Sequence, residues 1–445
     1  MTIARTICSG FLAVIAVGML LLMLPIAASD STWTSPIIAL FTATSAVCVT
    51  GLIVVDTGTH FSFFGQLVIL LLIQVGGLGY MTSSTFLILL VRRRFDVRQK
   101  FAIQESFDGS PLQGSRNLIR SIIAMTLLFE LTGTLILLRV FVPKFGFYGG
   151  LWQSLFHSIS AWNNAGFSLF ANSLTDYQNS WVINLIIPGL VIFGGIGYQV
   201  IIELYFWLVH LSRRQHRHLD LSLNFKVVTS TTAVLLVLGT LAFLFTEFSN
   251  SSTLEPLTNL EKLGAAWFQS VTTRTAGFNT IDFGRMSDTM LFITIGLMLV
   301  GASPSGTGGG MKTTTVRILL NCTRSTLRGI DQVVMYNRRI PTSVILRAVT
   351  VALGSMIVVV WSTFLLSLTE ANQFEFIDLL FEAVSAFATV GLSTGITSNL
   401  SALGELIITL TMFVGRVGIL IFIGAILGDR RPTSLQYPEE NLLVG

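Results

Sequence analysis

Four glycine-bearing stretches contain the residue types from which a chemical role can be argued. Their glycines are Gly51, Gly166, Gly277 and Gly391, which lie 111 to 115 residues apart and are each followed by Leu or Phe. Glycine permits backbone conformations that other residues adopt with difficulty. A ring of backbone carbonyl oxygens can replace the water shell of a cation. The recurrence therefore predicts four loops whose carbonyl oxygens converge on a monovalent cation.

Each loop contributes a glycine and the two residues before it to this predicted ring. The candidate cation-binding residues are Val49, Thr50, Gly51, Asn164, Ala165, Gly166, Thr275, Ala276, Gly277, Thr389, Val390 and Gly391. Carbonyl coordination does not depend on side-chain identity, so selectivity is compatible with the differences between the loops. Because the ring is only pseudo-fourfold, we expect fewer well-formed ion sites than in a symmetric channel.

Short helices must position these loops, and long helices must frame them. A short apolar run leads into each loop, at 35–49, 150–162, 262–273 and 376–388. Runs of this length do not span a bilayer and suit re-entrant segments. Their partially negative C-terminal ends would face the axis and favour a cation. The pattern therefore predicts, in each quarter of the chain, a long helix, a short helix, a loop and a second long helix.

A second glycine cluster follows each loop glycine by 24 to 28 residues, as in 76–79, 194–197 and 415–418. The rival interpretation of all these glycines is that they merely permit close helix packing. Packing accounts well for the second clusters. It accounts poorly for the loop glycines, because those follow helices too short to span.

Composition sets the class of protein. The chain has 445 residues, of which 52% are hydrophobic and only 11% are charged, against about 25% charged in soluble domains. A soluble fold cannot bury that much apolar surface, so the sequence predicts an all-α integral membrane protein. Cys8, Cys48 and Cys322 lie far apart, and the five His residues form no ligand-spaced cluster. These features disfavour a soluble enzyme, a nucleic-acid binder, a disulfide scaffold and metal chemistry.

The distribution of charge predicts the topology. Most of the 27 Lys and Arg residues fall near the N-terminus, in 92–120, 212–226 and 312–347, and in the C-terminal tail. The positive-inside rule places these segments and both termini in the cytoplasm. The opposite face is acidic. Acidic residues there would concentrate cations at a pore mouth, or they are ordinary solvated surface. Residues 5–28 also fit a cleavable signal peptide, but comparable helices in the other quarters favour retention.

The last helix of the third quarter is interrupted over 301–310. Its glycines and proline are Gly301, Pro304, Gly306, Gly308, Gly309 and Gly310. This composition cannot hold a straight helix, so we predict an intramembrane loop over 301–313, including Lys312, that obstructs the pore as a gate. A phosphate-binding loop is disfavoured, because Met311 stands before the lysine and no strand precedes it.

These loops and the glycine-containing second helices resemble the Trk/Ktr/HKT superfamily of potassium transporters over about 5–430. Within the superfamily, the chain is most similar to the membrane subunit of the Ktr uptake system. The fourth loop, 389–392, is closest to the potassium-channel filter pattern. The resemblance implies four pseudo-fourfold repeats of helix, pore helix, filter loop and helix around one central pore. The expected division is 1–95, 96–212, 213–335 and 336–430, with a tail over 431–445.

The resemblance also implies a function and partners. It implies potassium uptake across the plasma membrane through a carbonyl filter, with sodium either co-transported or activating. It implies a homodimer, with a contact through the tail, and cytosolic RCK-type regulatory subunits that bind ATP or ADP. Segments 92–120 and 312–345 are the candidate docking surface, unless they contact lipid headgroups. The expected bound ions are potassium and, as an open alternative, sodium; no organic cofactor and no nucleic acid is expected.

Two arginines need separate accounts. Arg416 lies in an apolar run, and such charges usually face the bundle interior. The family places an arginine here, which implies a positive barrier below the filter; the alternative is an ion pair with Glu130 or Glu203. Arg274 adjoins the third loop and would repel the ion, so it is predicted to point behind the loop, toward Glu382 or another carboxylate.

Three further interpretations concern polar side chains. Asn163 and Asn164 are predicted to be hydrogen-bonding scaffold for the second loop. A secondary transporter of another cation or small solute would use intramembrane carboxylates, for which Glu130 and Glu203 are the candidates, but neither recurs in the repeats. A membrane enzyme is disfavoured because no nucleophile, base or metal ligands cluster in the sequence.

Overall fold

The computed structural model describes residues 2–79, 115–212, 221–370 and 373–428, with only the backbone described for 115–119. The predictions made for most of the basic segment 92–120, for much of segment 212–226 and for the tail beyond 428 therefore lie outside the described residues.

The described part of the chain is mostly helical. In the first half the helices are α1 Ile3–Met23, α2 Pro36–Cys48, α3 Thr57–His60, α4 Phe63–Leu78, α5 Ser115–Trp162, α6 Trp181–Ile196 and α7 Tyr198–Ser212. In the second half they are α8 Leu223–Glu247, α9 Asn259–Thr272, α10 Asp288–Leu299, α11 Thr313–Leu327, α12 Thr342–Thr369, α13 Phe376–Ala388, α14 Ala402–Val417 and α15 Ile419–Leu427. A two-stranded antiparallel hairpin joins α11 to α12, with β1 Val334–Met335 paired to β2 Arg338–Arg339.

Several helices are long and apolar enough to cross a bilayer. Four of the described helices qualify, at Ile3–Met23, Arg120–Trp162, Leu223–Glu247 and Thr342–Thr369, and two bent pairs bring the total to six. Helix α5 contains a non-helical residue, Gly146, with φ 70° and ψ 177°. The kink separates a long first part from a short last part that matches the predicted run 150–162.

The core lies around the short helices. The side chains of Phe41, Trp162, Phe268 and Phe381 are each at most 1% exposed, one in each quarter of the chain. Buried apolar clusters join the first and fourth quarters, the second and third, and the third and fourth. Apolar burial of this kind, roughly 25 cal/mol per Å², holds the short helices at fixed positions.

The third quarter is not the only one whose last helix is broken. Helices α6 and α7 meet at an angle of 106°, and α14 and α15 meet at 98°. The residues at these bends are Gly197, with φ 92° and ψ 145°, and Gly418, with φ 87° and ψ 143°. That backbone conformation is almost restricted to glycine and cannot continue a helix. In the first quarter, α4 ends at Gly79 with a similar φ of 79° and ψ of 137°.

Other glycines of the same clusters do serve packing. Each lies against the last turn of a short helix, where an added Cβ would overlap a backbone carbonyl four residues before the loop glycine. The pairs are Gly76 with Val47, Gly194 with Trp162 and Gly415 with Phe387. Each cluster therefore has two roles. Its first glycine allows the short helix to pack closely against the long helix, and its last glycine lies where the chain changes direction.

Buried glutamates tie consecutive helices together. The Glu247 carboxylate accepts hydrogen bonds from Ser287 Oγ at 2.6 Å and its N–H at 3.1 Å. The Glu370 carboxylate accepts from Ser401 Oγ at 2.5 Å. Both serines precede the first residue of a helix, α10 and α14, and cap it. These charge-assisted bonds fix where the helices behind each loop begin.

Candidate cation pathway

The four loop glycines form a closed ring in chain order. A Cβ built on Gly51 would lie 3.0 Å from Gly166 Cα, and one on Gly166 would lie 2.7 Å from Gly277 Cα. One on Gly277 would lie 2.8 Å from Val390 O, and one on Gly391 would lie 3.1 Å from Gly51 Cα. The loops are therefore packed backbone to backbone around one centre, where no side chain fits at the glycine positions.

All four loops follow the same backbone course despite their different sequences. Two residues before each glycine, the backbone is left-handed, with φ between 52° and 63°, and each glycine itself has φ between 71° and 92°. The left-handed residues are Val49, Asn164, Thr275 and Thr389. This conformation is strained for β-branched Val and Thr, and strain of this kind persists only where the surroundings impose it.

Hydroxyl groups at the end of each short helix hold the loops in this conformation. Ser45 Oγ accepts a hydrogen bond from Gly51 N–H at 3.0 Å, and Ser385 Oγ accepts from Gly391 N–H at 3.1 Å. In the second quarter, Ser160 Oγ donates to Phe167 O at 2.8 Å. Sequence reasoning did not assign these roles, although a serine six residues before the loop glycine was a visible signal.

Thr272 plays the same part in the third quarter, where its hydroxyl donates to Phe278 O. Two kinds of hydrogen bond therefore hold the four loops. Two hydroxyls accept the N–H of the loop glycine, and two donate to the carbonyl of the residue after the glycine. Each bond fixes one polar group of a loop that runs through an apolar interior.

A vestibule opens onto one side of the ring. It is a cavity of about 630 Å³ lined by all four loop glycines and by residues that follow them in each quarter. Asp176, Asp282 and Arg285 are its charged lining residues, and Arg285 Nε lies 3.4 Å from Asp282 Oδ2. The cavity therefore carries a net negative charge, which favours cations at its floor.

The interrupting loop 301–313 lies on the other side of the ring, against the left-handed residues. Gly309 N–H donates to Thr389 Oγ1 at 2.9 Å, and Thr307 Oγ1 donates to Asn164 Oδ1 at 3.1 Å. Asn164 Nδ2 in turn donates to Thr275 Oγ1 at 3.3 Å. Two of the four loops are thus bonded to this segment directly and the third through Asn164, whereas the Val49 side chain offers no polar atom.

The loop is docked on the glycine cluster of the second quarter. Ser303 N–H donates to Gly195 O at 3.0 Å, and Thr307 N–H donates to Gly194 O at 3.1 Å. Within the segment, Lys312 Nζ donates to Gly308 O at 2.8 Å. Segment 301–313, called the plug from here on, is therefore bonded to its neighbours at several points.

Arg416 reaches this plug directly. Its guanidinium donates hydrogen bonds to Thr307 O in the loop and to Gly76 O at the end of α4. The alternative ion pair is not formed: Glu203 accepts from Ser222, at 2.7 Å from its Oγ, and Glu130 accepts from Asn163 Nδ2 at 3.1 Å. The planar guanidinium is suited to bridging two carbonyls at once.

The predicted pairing of Arg274 with Glu382 is wrong. In the described part of the chain, the ion pair between Arg285 and Asp282 is the only one. Arg274 is 7% exposed, and its Nε has no hydrogen-bond partner. Glu382 instead accepts a 2.5 Å hydrogen bond from Thr397 Oγ1.

The two asparagines of the second loop serve different neighbours. Asn163 donates to Glu130 Oε1 and to Gln74 Oε1, both at 3.1 Å, and so ties the second quarter to the first. Asn164 binds Thr275 and Thr307, as described above, and so contacts the third loop and the plug. The sequence indicated scaffolding but not this division.

Comparison with known proteins identifies the family. The family model for TrkH, described as a cation transport protein, matches residues 5–426. The chain is 38% identical over 437 residues to the Ktr system potassium uptake protein B of Bacillus subtilis (strain 168), covering 98% of this chain and 95% of that protein. It is 36% identical over 447 residues to the potassium/sodium uptake protein NtpJ of Enterococcus hirae, covering 99% and 97%.

A solved structure shares the fold. The crystal structure of the potassium transporter TrkH from Vibrio parahaemolyticus matches with a TM-score of 0.71 at 16% identity, covering 95% of this chain and 85% of that one. This likeness confirms the predicted all-α membrane fold class, and the sequence matches confirm the predicted superfamily. The chain belongs to the TrkH family of cation transport proteins.

Proposed function

We propose that this chain takes up potassium across the plasma membrane through a channel-like pore with a backbone-carbonyl selectivity filter. The observation that carries the proposal is the closed ring of loop glycines, at which four quarters of one chain meet backbone to backbone. The relatives from B. subtilis and E. hirae are named as potassium and potassium/sodium uptake proteins, which agrees with this substrate.

The ring suits a monovalent cation on physical grounds. Carbonyl oxygens are neutral dipoles, so several of them can replace water around K⁺ without binding it too tightly to leave. The short helices point their C-terminal ends at the ring and add partial negative charge. The negative vestibule supplies cations to it.

The second part of the proposal concerns gating. Loop 301–313 closes the pore by lying against the left-handed residues of the filter, and Arg416 holds it there through Thr307 O. Arg416 also places a positive charge on the ion path, which lowers the time that a cation spends below the filter.

The third part concerns topology and assembly. Both termini and the basic segments face the cytoplasm, so the vestibule faces outward. Cytosolic nucleotide-binding regulatory subunits dock on the basic face, and two copies of the chain form a dimer. The relative from B. subtilis is named as part of a Ktr system, which is consistent with a partner subunit. Sodium acts as a co-transported or activating ion, in keeping with the name of the potassium/sodium uptake protein NtpJ.

Uptake of potassium or rubidium in a bacterial strain that lacks its own potassium uptake tests the proposal. Replacing Gly166 or Gly277 with Val should abolish uptake, because the added side chain overlaps the backbone of the next loop. Gly296→Ala is the matched control, since a Cβ there meets nothing within 4 Å. Rubidium flux that persists at the wild-type rate in a Gly277→Val protein present in the membrane would overturn the filter assignment.

The alternative function, a secondary transporter that uses intramembrane carboxylates, is less favoured. Glu203 accepts hydrogen bonds from the serine that caps α8, and Glu130 accepts from Asn163 behind the filter. Both carboxylates are thus engaged in holding helices and loops. Proton-coupled flux that is lost in Glu203→Gln, with the filter glycines dispensable, would favour this alternative.

A further inference from the structure

Three side-chain oxygens lie below the glycine ring, on the side away from the vestibule. They belong to the left-handed residues of three quarters and are Asn164 Oδ1, Thr275 Oγ1 and Thr389 Oγ1. All three side chains are fully buried. Asn164 Nδ2 donates to Thr275 Oγ1 at 3.3 Å, so two of these corners are in direct contact. Because the three residues occupy the same position in their loops, their oxygens border the ion path at one level.

The plug lies directly against these oxygens. Thr307 Oγ1 has one proton and donates it to Asn164 Oδ1 at 3.1 Å, with Trp162 O as a more distant acceptor at 3.4 Å. In the fourth quarter, Gly309 N–H donates to Thr389 Oγ1 at 2.9 Å. Two donors of the plug therefore point at oxygens that face the ion path.

Two glycines of the plug allow this close approach. A Cβ built on Gly308 would lie 2.0 Å from Thr275 Oγ1, and one built on Gly309 would lie 2.5 Å from Thr389 Oγ1. A side chain at either position would overlap the oxygen. The bare backbone of the plug therefore fills the space in front of these two hydroxyls and leaves no room there for an ion.

Two basic side chains bind carbonyls of the plug. Lys312 Nζ donates to Gly308 O at 2.8 Å, and this carbonyl belongs to the same peptide group as the Gly309 N–H. Hydrogen bonds in series polarise one another, so the bond from Lys312 strengthens the positive end of the N–H that binds the filter. The Arg416 guanidinium binds the preceding carbonyl, Thr307 O. The plug thus turns positive ends of polarised groups toward the filter, as a bound cation would.

The same oxygens have lone pairs for a cation once the plug has left. Thr275 Oγ1 accepts one hydrogen bond, from Asn164 Nδ2, and so keeps one of its two lone pairs. Asn164 Oδ1 and Thr389 Oγ1 each lose the donor that the plug supplied. Buried acceptors without a partner are costly, and a cation leaving the carbonyl ring would satisfy them. The short helices point their partially negative ends at the same place.

We propose that Asn164, Thr275 and Thr389 form an inner cation site that the plug occupies in the closed state. Plug and cation bind this site in turn, so a K⁺ ion at the inner end of the filter competes with the plug and favours its release. The ligand is a partly dehydrated monovalent cation. Lys312 is a positioning residue, which acts through Gly308 O. This inference deepens the proposed gate and rests on it.

Hydrogen–deuterium exchange of the plug in the purified full-length chain tests the proposal. Gly309 N–H is bonded to the filter while the plug is docked, so exchange over 301–313 reports release of the plug. A ligand that binds one state alone raises the population of that state by a factor of 1 + [K⁺]/Kd. With K⁺ at about ten times its Kd, exchange should be about tenfold faster than in choline chloride of equal ionic strength.

Thr275 separates the cation site from the contact with the plug. Its hydroxyl accepts from Asn164 and makes no described hydrogen bond to the plug, so Thr275→Val removes a cation ligand and no bond between filter and plug. We expect wild-type exchange in choline chloride, but about threefold to tenfold more K⁺ for half-maximal acceleration. Thr275→Ser keeps the hydroxyl and should match the wild type. Ser252→Ala, which removes an exposed hydroxyl at the vestibule, is the second control.

The positioning role of Lys312 is tested by a graded pair. Lys312→Gln keeps a donor for Gly308 O but carries no charge, and Lys312→Met has neither donor nor charge. We expect exchange of the plug in choline chloride to be faster for Met than for Gln, and faster for both than in the wild type, at equal thermal stability. Because a weaker plug is displaced more easily, less K⁺ should give half-maximal acceleration. Wild-type exchange in Lys312→Met would overturn this role.

Failure of the shared site and failure of the pore give different results. Exchange of the plug that K⁺ does not accelerate in the wild type, together with loss of uptake in Gly277→Val, would overturn the shared site and leave the filter in place. An unchanged K⁺ response in Thr275→Val would overturn the assignment of side-chain ligands. Rubidium uptake that survives in Gly277→Val would overturn the proposed pore and the inner site together.

Discussion

The residues that most constrain this site are the four with left-handed backbone. Each is a non-glycine residue that prefers a negative φ, so the surrounding structure must hold it in this conformation. Val49, Asn164, Thr275 and Thr389 share this conformation, yet they differ in what their side chains do. Asn164 and Thr389 bind the interrupting loop, and Thr275 binds Asn164. One residue in each quarter thus shapes its loop, and in two quarters it also bonds segment 301–313 directly.

Thr389→Val tests this second role. Valine keeps the shape and the backbone preference but removes the acceptor for Gly309 N–H, and a buried donor left unsatisfied costs about 1–3 kcal/mol. We expect the plug to leave the filter more often and basal rubidium flux to rise. The rise should vanish in a protein that also lacks residues 304–310, whereas Thr389→Ser should behave as wild type. An equal rise with and without the loop would show that Thr389 acts on the filter alone.

Replacing Arg416 with Gln removes the bridge between the plug and α4. Gln cannot span Thr307 O and Gly76 O with two charged donors, and Lys presents a single point charge. We therefore expect flux to rise in both variants, more for Gln than for Lys, with a change in the apparent affinity for the ion. Unchanged rate and affinity in Arg416→Gln would end the assignment of Arg416 to gate and barrier.

Part of this residue-scale description could be predicted from sequence. Glycine recurrence predicted the loops, because no other residue tolerates both the conformation and the close approach at Gly166 and Gly277. The hydrogen bonds of Thr389 and Asn164 to the plug could not be predicted. They join residues 80 and 143 positions apart in the chain, and no local pattern encodes which side chains will meet.

At the scale of elements, the sharp bends after the filter decide where the plug can lie. Helices α6 and α14 both end at a glycine with nearly identical backbone angles, but their surroundings differ. A Cβ on Gly197 would overlap Pro304 O in the plug, whereas one on Gly418 would meet nothing within 4 Å. The bend in the second quarter thus contacts segment 301–313, which we propose as the gate, whereas the bend in the fourth quarter has no such contact.

Alanine at each bend separates backbone strain from contact with the gate. Both Gly197→Ala and Gly418→Ala impose a similar backbone strain, on the order of 1–3 kcal/mol, and both should lower thermal stability, with Gly197→Ala losing more because its Cβ also overlaps Pro304 O. We expect only Gly197→Ala to raise basal flux, because only that Cβ displaces Pro304. Equal flux in the two variants would show that the bend and the plug act independently.

Deletion of residues 304–310 is the direct test of the gate. We expect rubidium flux to rise and regulation by nucleotide through the proposed partner subunit to weaken, since the segment bonded to Thr389 and Asn164 is gone. The comparison requires equal amounts of protein in the membrane. Transport that remains slow and still tightly controlled would show that this segment is not the gate.

Element prediction from sequence was accurate where hydrophobic length decided the outcome and failed where a single glycine did. The short runs near 35–49 and 376–388 correspond to α2 and α13. The apolar stretches that continue through Gly197 and Gly418 look uninterrupted, because one glycine in a helix is ordinarily tolerated. Only the break in the third quarter could be predicted from sequence, because that segment has five glycines and a proline in ten residues.

At the scale of the whole molecule, the four quarters of the chain close a ring by packing contacts alone. The protein is a transport protein and not an enzyme. The closing contacts join residues from both ends of the chain, as between Gly391 and Gly51. Anything that binds within the ring therefore stabilises the whole fold by mass action.

Thermal unfolding in detergent should reveal this coupling. A ligand at about 100 times its Kd adds roughly 2.7 kcal/mol to stability, so the unfolding midpoint should rise with K⁺ and Rb⁺ more than with Na⁺ at equal ionic strength. Ser252→Ala should retain this response, and Gly277→Val should lose it. Identical midpoints in K⁺ and Na⁺ for the wild-type protein would argue against a selective site in the ring.

A ring drawn from a single gene has an evolutionary consequence. A channel assembled from identical subunits changes all its corners with one codon, but here one codon alters a single corner. The apolar Val49, beside three polar counterparts at the other corners, is such a local difference. Evolution can therefore adjust ion preference or leakage in small steps, by substitutions that change one loop and leave the other three as they are.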